Sequence, residues 1–118
     1  MNCFREIHIY PITKKKFMKE NASGASLYLL SNHDSGKFME TYLVVFNPNS
    51  NSDELMTNHT GQEFMFVFKG QIEIEYDNRT YTLNVGDSFY LNTGKTHKFI
   101  NSSENTTELL WVVSPPNI

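Results

Sequence analysis

The residues best suited by type and placement to do chemistry are His59, Glu63 and His97. Neutral imidazole nitrogens and a carboxylate oxygen are donors with which proteins hold iron, manganese, nickel or zinc, at bonds of about 2.1 Å. His59 and Glu63 stand four apart in HTGQE, and on one extended strand that spacing separates them by about 13 Å. They can share an ion only if the chain bends between them, and Gly61 is free to adopt the backbone angles of a tight turn. A bend at Thr60-Gly61-Gln62 puts His59 at the end of one strand and Glu63 at the start of the next, both turned to the same interior. His97 opens a later run, HKFIN, after the turn-prone stretch Asn92-Thr93-Gly94-Lys95-Thr96.

Other suggestive residues carry less. His8 and His33 are isolated and read as structural or surface histidines. Gly94-Lys95-Thr96 resembles the end of a phosphate-binding loop, but the earlier glycine that loop requires falls at Phe89 and no helical pattern follows. Asn-x-Ser/Thr triplets begin at Asn21, Asn58, Asn101 and Asn105 without a secretion signal, so glycosylation is not expected. Lys14-Lys15-Lys16 reads as a solvated charge run. Cys3, the single cysteine, cannot form an internal disulfide and is expected to be inert. Met65, Phe89, Leu91, Phe99 and Trp111 are packing residues first and ligand contacts second. If Phe89 and Leu91 share an inward face with His97 and Phe99, they wall a few polar groups with apolar surface, as small-molecule sites usually do.

The elements that must position these residues are short. Runs rich in β-branched and aromatic residues cover Ser26 to Leu30, Phe38 to Phe46, Glu63 to Phe68, Gln71 to Tyr76, Thr80 to Val85, Ser88 to Leu91, His97 to Asn101 and Glu108 to Val113. Turn signals separate them, among them Lys69-Gly70, Asp77-Asn78 and Val85-Gly86-Asp87, a spacing that predicts an all-β sandwich or barrel. Residues 1–24 read as an N-terminal extension and 47–58 as a polar surface loop leading to His59. In QIEIEY, Ile72, Ile74 and Tyr76 share one face and Glu73 and Glu75 the other. In EFMFVF both faces are mostly apolar, so the row Phe64, Phe66, Phe68 needs a cover, and a homodimer is expected. With 118 residues the chain fits one domain. A net charge of -3 and a pI near 5.7 give no basic footprint for direct nucleic-acid binding. No window reaches the roughly 18 apolar residues of a membrane span, so a soluble cytoplasmic protein is expected.

From Asn58 to Asn101 the sequence resembles the cupin family. Its first motif carries a glycine, two histidines separated by one residue, a glutamate three or four residues on, and a closing glycine seven residues further on. His59 matches the second histidine, Glu63 the glutamate and Gly70 the closing glycine. In the second motif Gly86, Gly94, His97 and Asn101 fall in register, with Asn92 where a proline would stand. The resemblance implies a double-stranded β-helix, or jelly-roll barrel, with a metal in its lumen. Thr57 occupies the first histidine's position and the opening glycine is absent, so the implied set of three His and one Glu shrinks to His59, Glu63 and His97. The phrases HTGQEFMFVFKG, GDSFYLNTGKTHKFIN and ELLWVVSPP also resemble the cupin sensor domain of helix-turn-helix bacterial regulators, with no counterpart here of the DNA-binding half. That subgroup is similar in turn to a metal-dependent epoxidase whose iron sits on a His, Glu and His. The implied function is a metal-dependent domain for a small organic ligand. The alternatives are a mononuclear non-haem enzyme of oxygenase, epoxidase or isomerase type and a metal-free ligand sensor acting through another protein. Expected pocket residues are Thr57, Met65, Phe89, Leu91 and Phe99.

Overall fold

The computed structural model describes residues 9–31, 38–56, 61–92 and 97–115. Thr57, His59, His8, His33, Cys3 and Gly94-Lys95-Thr96 lie outside them. The strands are β1 (Lys16–Glu20), β2 (Ala25–Leu29), β3 (Glu40–Phe46), β4 (Ser50–Asn51), β5 (Gln62–Lys69), β6 (Gln71–Tyr76), β7 (Arg79–Asn84), β8 (Ser88–Leu91), β9 (His97–Asn101) and β10 (Thr107–Ser114). The only other regular element among the described residues is a 3-10 turn at Ile12–Lys14. A six-stranded sheet runs β1-β2-β3-β10-β5-β8 and a four-stranded one β4-β9-β6-β7. Every pairing is antiparallel.

Period-two side chains make the two sheets into a barrel. Thr107, Leu109, Trp111 and Val113 of β10 are buried while the residues between them are half-buried. Met65, Val67 and Trp111 from the larger sheet join Ile72, Ile74, Leu83 and Phe99 from the smaller in one core. Two apolar faces of this kind can leave water together only by facing each other, and the result is a jelly-roll barrel. In β6 the expected split holds, with Ile72 and Ile74 buried and Glu75 exposed.

Eight strands lie where the sequence places them. The ninth, β1, falls within the stretch read as an extension, and its five residues are all exposed, so no burial pattern marks it. Two residues of the 47–58 loop form β4, and Leu55 and Met56 are buried in the core. That segment is therefore not wholly a surface loop: its polar composition hides two apolar residues that join the core.

Two motif residues prove to be scaffold. Gly70, with φ +82°, joins β5 to β6 where a Cβ would come 2.5 Å from Thr107 Oγ1 and 2.7 Å from the Thr106 carbonyl oxygen. Thr107 comes that close because its hydroxyl donates to the Gln71 carbonyl at 2.6 Å and accepts from the Gln71 N–H at 3.0 Å. Asn101 is fully buried; its Nδ2 donates to the carbonyls of Phe46, Asn47 and Asn105, and its Oδ1 accepts from the Ser103 N–H and hydroxyl. One side chain thus ties the end of β9 to β3 and to the turn before β10, satisfying buried backbone groups that would otherwise be costly.

Candidate metal and ligand site

Glu63 enters the lumen because it has the parity of Met65 and Val67 on β5. Its register partners are Val113 on β10 and Leu91 on β8. Of the bend expected before it, Gly61 is described: it has φ +133°, and a Cβ there would lie 2.3 Å from the Ser114 carbonyl oxygen, so only glycine brings the chain in this close to β10, while Thr60 lies outside the described residues. His97 is the first residue of β9, paired with Tyr76, and comes from the opposite sheet. Both side chains are buried, and His97 Nε2 stands 3.6 Å from Glu63 Oε2.

The remainder of the carboxylate is fixed. Trp111 Nε1 donates to Glu63 Oε1 at 2.8 Å in the buried interior. Tyr42 packs on the indole, ring centroids 5.1 Å apart and planes 33° from parallel. With Oε1 engaged, Oε2 is the oxygen turned to His97. Phe99 meets the His97 ring edge to face at 5.7 Å. Carboxylate and imidazole are therefore each held by an aromatic partner, the arrangement that keeps ligating groups in one orientation.

The separation suits a shared ion. Two donors at about 2.1 Å from one metal lie about 3.0 Å apart at a right angle and about 3.4 Å apart in a tetrahedron. At 3.6 Å, the pair is outside hydrogen-bond range and a few tenths of an ångström from that spacing. Read without a metal, the same contact is an ion pair if the imidazole is protonated. Among the described residues no three His, Cys, Asp or Glu side chains cluster as a metal set; Glu63 and His97 make two, and His59, the third expected donor, lies outside them.

Of the expected pocket residues, Met65, Leu91 and Phe99 are buried on the inner faces and Phe89 is half-buried beside Leu91, against Tyr76 and Tyr81. Thr57 is outside the described residues. The structure adds three groups that the sequence reading did not assign to the site: Trp111 as a hydrogen-bond donor, Tyr42 behind it, and Glu40, a buried carboxylate at the start of β3. The signal was available, since Glu40 and Tyr42 share the parity of Val44 and Phe46. Burial, with Glu40's charge adding to it, pushes the Tyr42 phenol up to about 12, so it stays a neutral donor at ordinary pH. A cleft of about 400 Å³ lined by Asn21, Ala22, Ser23, Asn51, Asp53 and Glu54 lies toward the Asn101 end of β9, away from this chemistry. Its Asn21 amide is committed to the backbone carbonyls of Asn51 and Asp53.

An antiparallel jelly roll with a carboxylate and an imidazole meeting inside it defines the class: a β-barrel with a polar pair in its lumen. The Cupin domain family profile matches residues 42–113, and the chain belongs to that family. Over 104 residues it is 24% identical to the HTH-type transcriptional regulator PuuR of Escherichia coli (strain K12), covering 88% of this chain and 56% of the relative. The chain thus spans about half the length of that curated protein. A predicted oxalate decarboxylase of Thermotoga maritima superposes with TM-score 0.76 at 14% identity, covering 92% of this chain and 99% of that one. The Cupin_2 domain of an XRE family transcriptional regulator from Enterobacter cloacae gives 0.66 at 17% identity, over 79% and 98%. At these identities the superpositions establish the fold alone. Among the described residues no helix is long and apolar enough to cross a membrane.

Proposed function

We propose that the lumen binds a small organic ligand beside one divalent ion held by His59, Glu63 and His97, and that this chain acts as a ligand-reading domain. The observation that carries the reading is the buried Glu63–His97 pair, 3.6 Å apart with the other carboxylate oxygen fixed by Trp111. Burying a carboxylate is expensive; an ion shared with two imidazoles would offset that cost and give the position a use. A bound divalent ion would supply Lewis acidity and open coordination positions for a chelating ligand. The chain's own residues do the rest. Met65, Leu91 and Phe99 exclude water, Trp111 and Phe99 orient the two donors, and the neutral Tyr42 phenol adds a donor behind the indole. Relatedness to a transcriptional regulator favours sensing over turnover and suits a cytoplasmic setting, with the DNA-contacting work assigned to other sequence.

The enzyme reading draws on Thr57. A threonine where a fourth ligand would stand leaves up to three positions on an octahedral ion, enough for a chelating substrate and oxygen. Elemental analysis of tag-free protein decides the shared premise. We expect up to one ion per chain, lost in His97→Ala because only two donors would remain. No ion after reconstitution with iron, manganese, nickel and zinc overturns it. A ligand found by thermal shift and then consumed by the metal-loaded protein, with turnover lost in Glu63→Ala, would put the enzyme ahead.

A further inference from the structure

We propose that Arg79, with the rings of Tyr76, Tyr81 and Phe89, forms a recognition wall beside the candidate ion site, and that the ligand it reads is an aromatic carboxylic acid. This ligand class builds on the reading of the lumen as a small-molecule site. Directly paired residues in an antiparallel sheet project on the same side. On the larger sheet Glu63 pairs with Leu91 of β8, the edge strand. On the smaller sheet His97 pairs with Tyr76, and Tyr76 with Arg79 of β7, again the edge strand. Leu83 of β7 is buried in the core, and Arg79 and Tyr81 share its parity. Glu63 and His97 meet across the lumen at 3.6 Å, so Leu91, Arg79 and Tyr76 make the wall that joins them on the β7–β8 side. One row further in, Phe89 pairs with Met65 and Tyr81 with Ile74. The Phe89 and Tyr81 rings lie 6.2 Å apart, so the rows of the two sheets line up across this seam.

The two seams of the barrel close differently. Where β1 and β4 end their sheets, hydrogen bonds stitch the walls together: Asn21 Nδ2 donates to the Asn51 carbonyl at 2.7 Å, and the Asn51 N–H donates to Ser23 Oγ at 2.9 Å. Where β8 and β7 end them, the two strands are not paired with each other. The turn between them is anchored, with the Asp87 N–H on the Asn84 carbonyl at 2.9 Å and the Gly86 N–H on that of Val67 at 2.8 Å. Toward the Glu63–His97 end the seam is filled by rings instead. Phe89 meets Tyr76 at 6.0 Å with planes at 76°, and Tyr81 at 6.2 Å with planes at 43°. Neither contact is a parallel stack, and Tyr81 is 40% exposed. A planar ring can join such a set edge to face or offset without displacing a strand from its ladder.

Arg79 sets the charge of the ligand. It is exposed at the rim, and among the described residues its guanidinium makes no hydrogen bond or ion pair. A planar guanidinium offers two parallel N–H donors, the geometry that a carboxylate accepts. Two pair spacings of about 5 Å put Arg79 about 10 Å from His97 along the row, the span of one aromatic ring with a substituent at each end. One substituent then faces the Glu63–His97 pair, the ring lies against Tyr76, Tyr81 and Phe89, and the carboxylate meets Arg79.

Ligand-observed NMR titration of the full chain with benzoate, benzamide and cyclohexanecarboxylate tests this assignment, with and without added divalent ion. We expect benzoate to bind in both states. It should bind at least about tenfold tighter than benzamide, which lacks the charge, and about fivefold tighter than cyclohexanecarboxylate, which lacks the planar ring. Arg79→Gln should abolish the first preference and Tyr81→Leu the second, with the far-UV spectrum unchanged because both positions are exposed. Glu75→Gln, exposed on the outward face of β6, should alter neither. Absence of benzoate binding, or either preference persisting in its variant, overturns the assignment. The ion premise fails separately. A protein that takes up no metal yet keeps both preferences retains this wall and loses the ion, whereas a metal-loaded protein without them keeps the ion and loses this wall.

Discussion

Replacing Trp111 by Phe keeps an aromatic ring against Tyr42 but deletes the N–H that holds Glu63 Oε1 at 2.8 Å. A hydrogen bond to a charged acceptor contributes about 1.5–3 kcal/mol, and a buried carboxylate oxygen left short of a donor loses its share of that. The smaller ring also opens space in a fully buried position, so the total destabilisation should be about 2–4 kcal/mol. The double-mutant cycle Trp111→Phe with Glu63→Ala separates the two causes, because ring loss survives in both backgrounds while the hydrogen bond exists in only one. Coupling of about 1.5–3 kcal/mol is expected from urea denaturation followed by far-UV circular dichroism. The variant should bind a divalent ion about 10–100-fold more weakly, since an outer partner of a ligand sets its orientation. Trp111 is also the sole tryptophan, so the wild type carries its own reporter: paramagnetic Mn²⁺ at the site should quench indole fluorescence saturably, and His97→Ala should abolish the effect. Additivity within about 0.5 kcal/mol would refute the claim that the indole acts through Glu63.

Three further outcomes follow from particular contacts. Tyr42, its phenol pushed by burial from the ordinary tyrosine value of about 10 up to about 12, stays protonated in the fold at pH values where the unfolded chain ionises. Stability is then fully present below pH 10 and falls by about 1–3 kcal/mol as pH rises from 10 to 12, a slope that Tyr42→Phe should remove in alkaline denaturation. Gly70→Ala should cost about 2 kcal/mol or more, read as a lower urea midpoint, because its Cβ meets backbone as well as the Thr107 hydroxyl. Thr57→His should tighten metal binding while weakening a chelating ligand, since a fourth protein donor occupies one open position; calorimetric titration giving unchanged chelator affinity would end the open-face argument.

How legible the molecule was depends on how local each cause is. Alternation in QIEIEY and the turn residues between runs are local, and the eight strands they mark are where they were expected. Strand β1 has no local cause: KFMKE buries nothing, and only its pairing with β2 makes it a strand. Leu55 and Met56 escaped notice for a related reason, since two apolar residues in a polar stretch are core only when a barrel already exists to receive them. The motif spacing pointed to Glu63 and His97, which the structure brings to 3.6 Å of each other, but the identity of the Glu63 anchor could not be read. Trp111 lies 48 residues from Glu63, and their meeting depends on the register of β5 with β10.

That register also decides which side chains reach the lumen at all. Trp111 projects inward to Glu63 while its neighbours Leu110 and Val112 project outward. The same alternation operates on β5, where Glu63 and Met65 face the lumen and Phe64 and Phe66 face out. A one-residue slip between β5 and β10 would exchange these sets, burying Phe64 in the lumen and sending Glu63 outside. The smaller sheet has a register of its own, and the pairings that set His97 beside Tyr76 set Arg79 there too. A change at Arg79 should therefore alter which acids bind yet leave metal stoichiometry unchanged, whereas a change at Trp111 should disturb the ion and leave the preference for benzoate over benzamide alone.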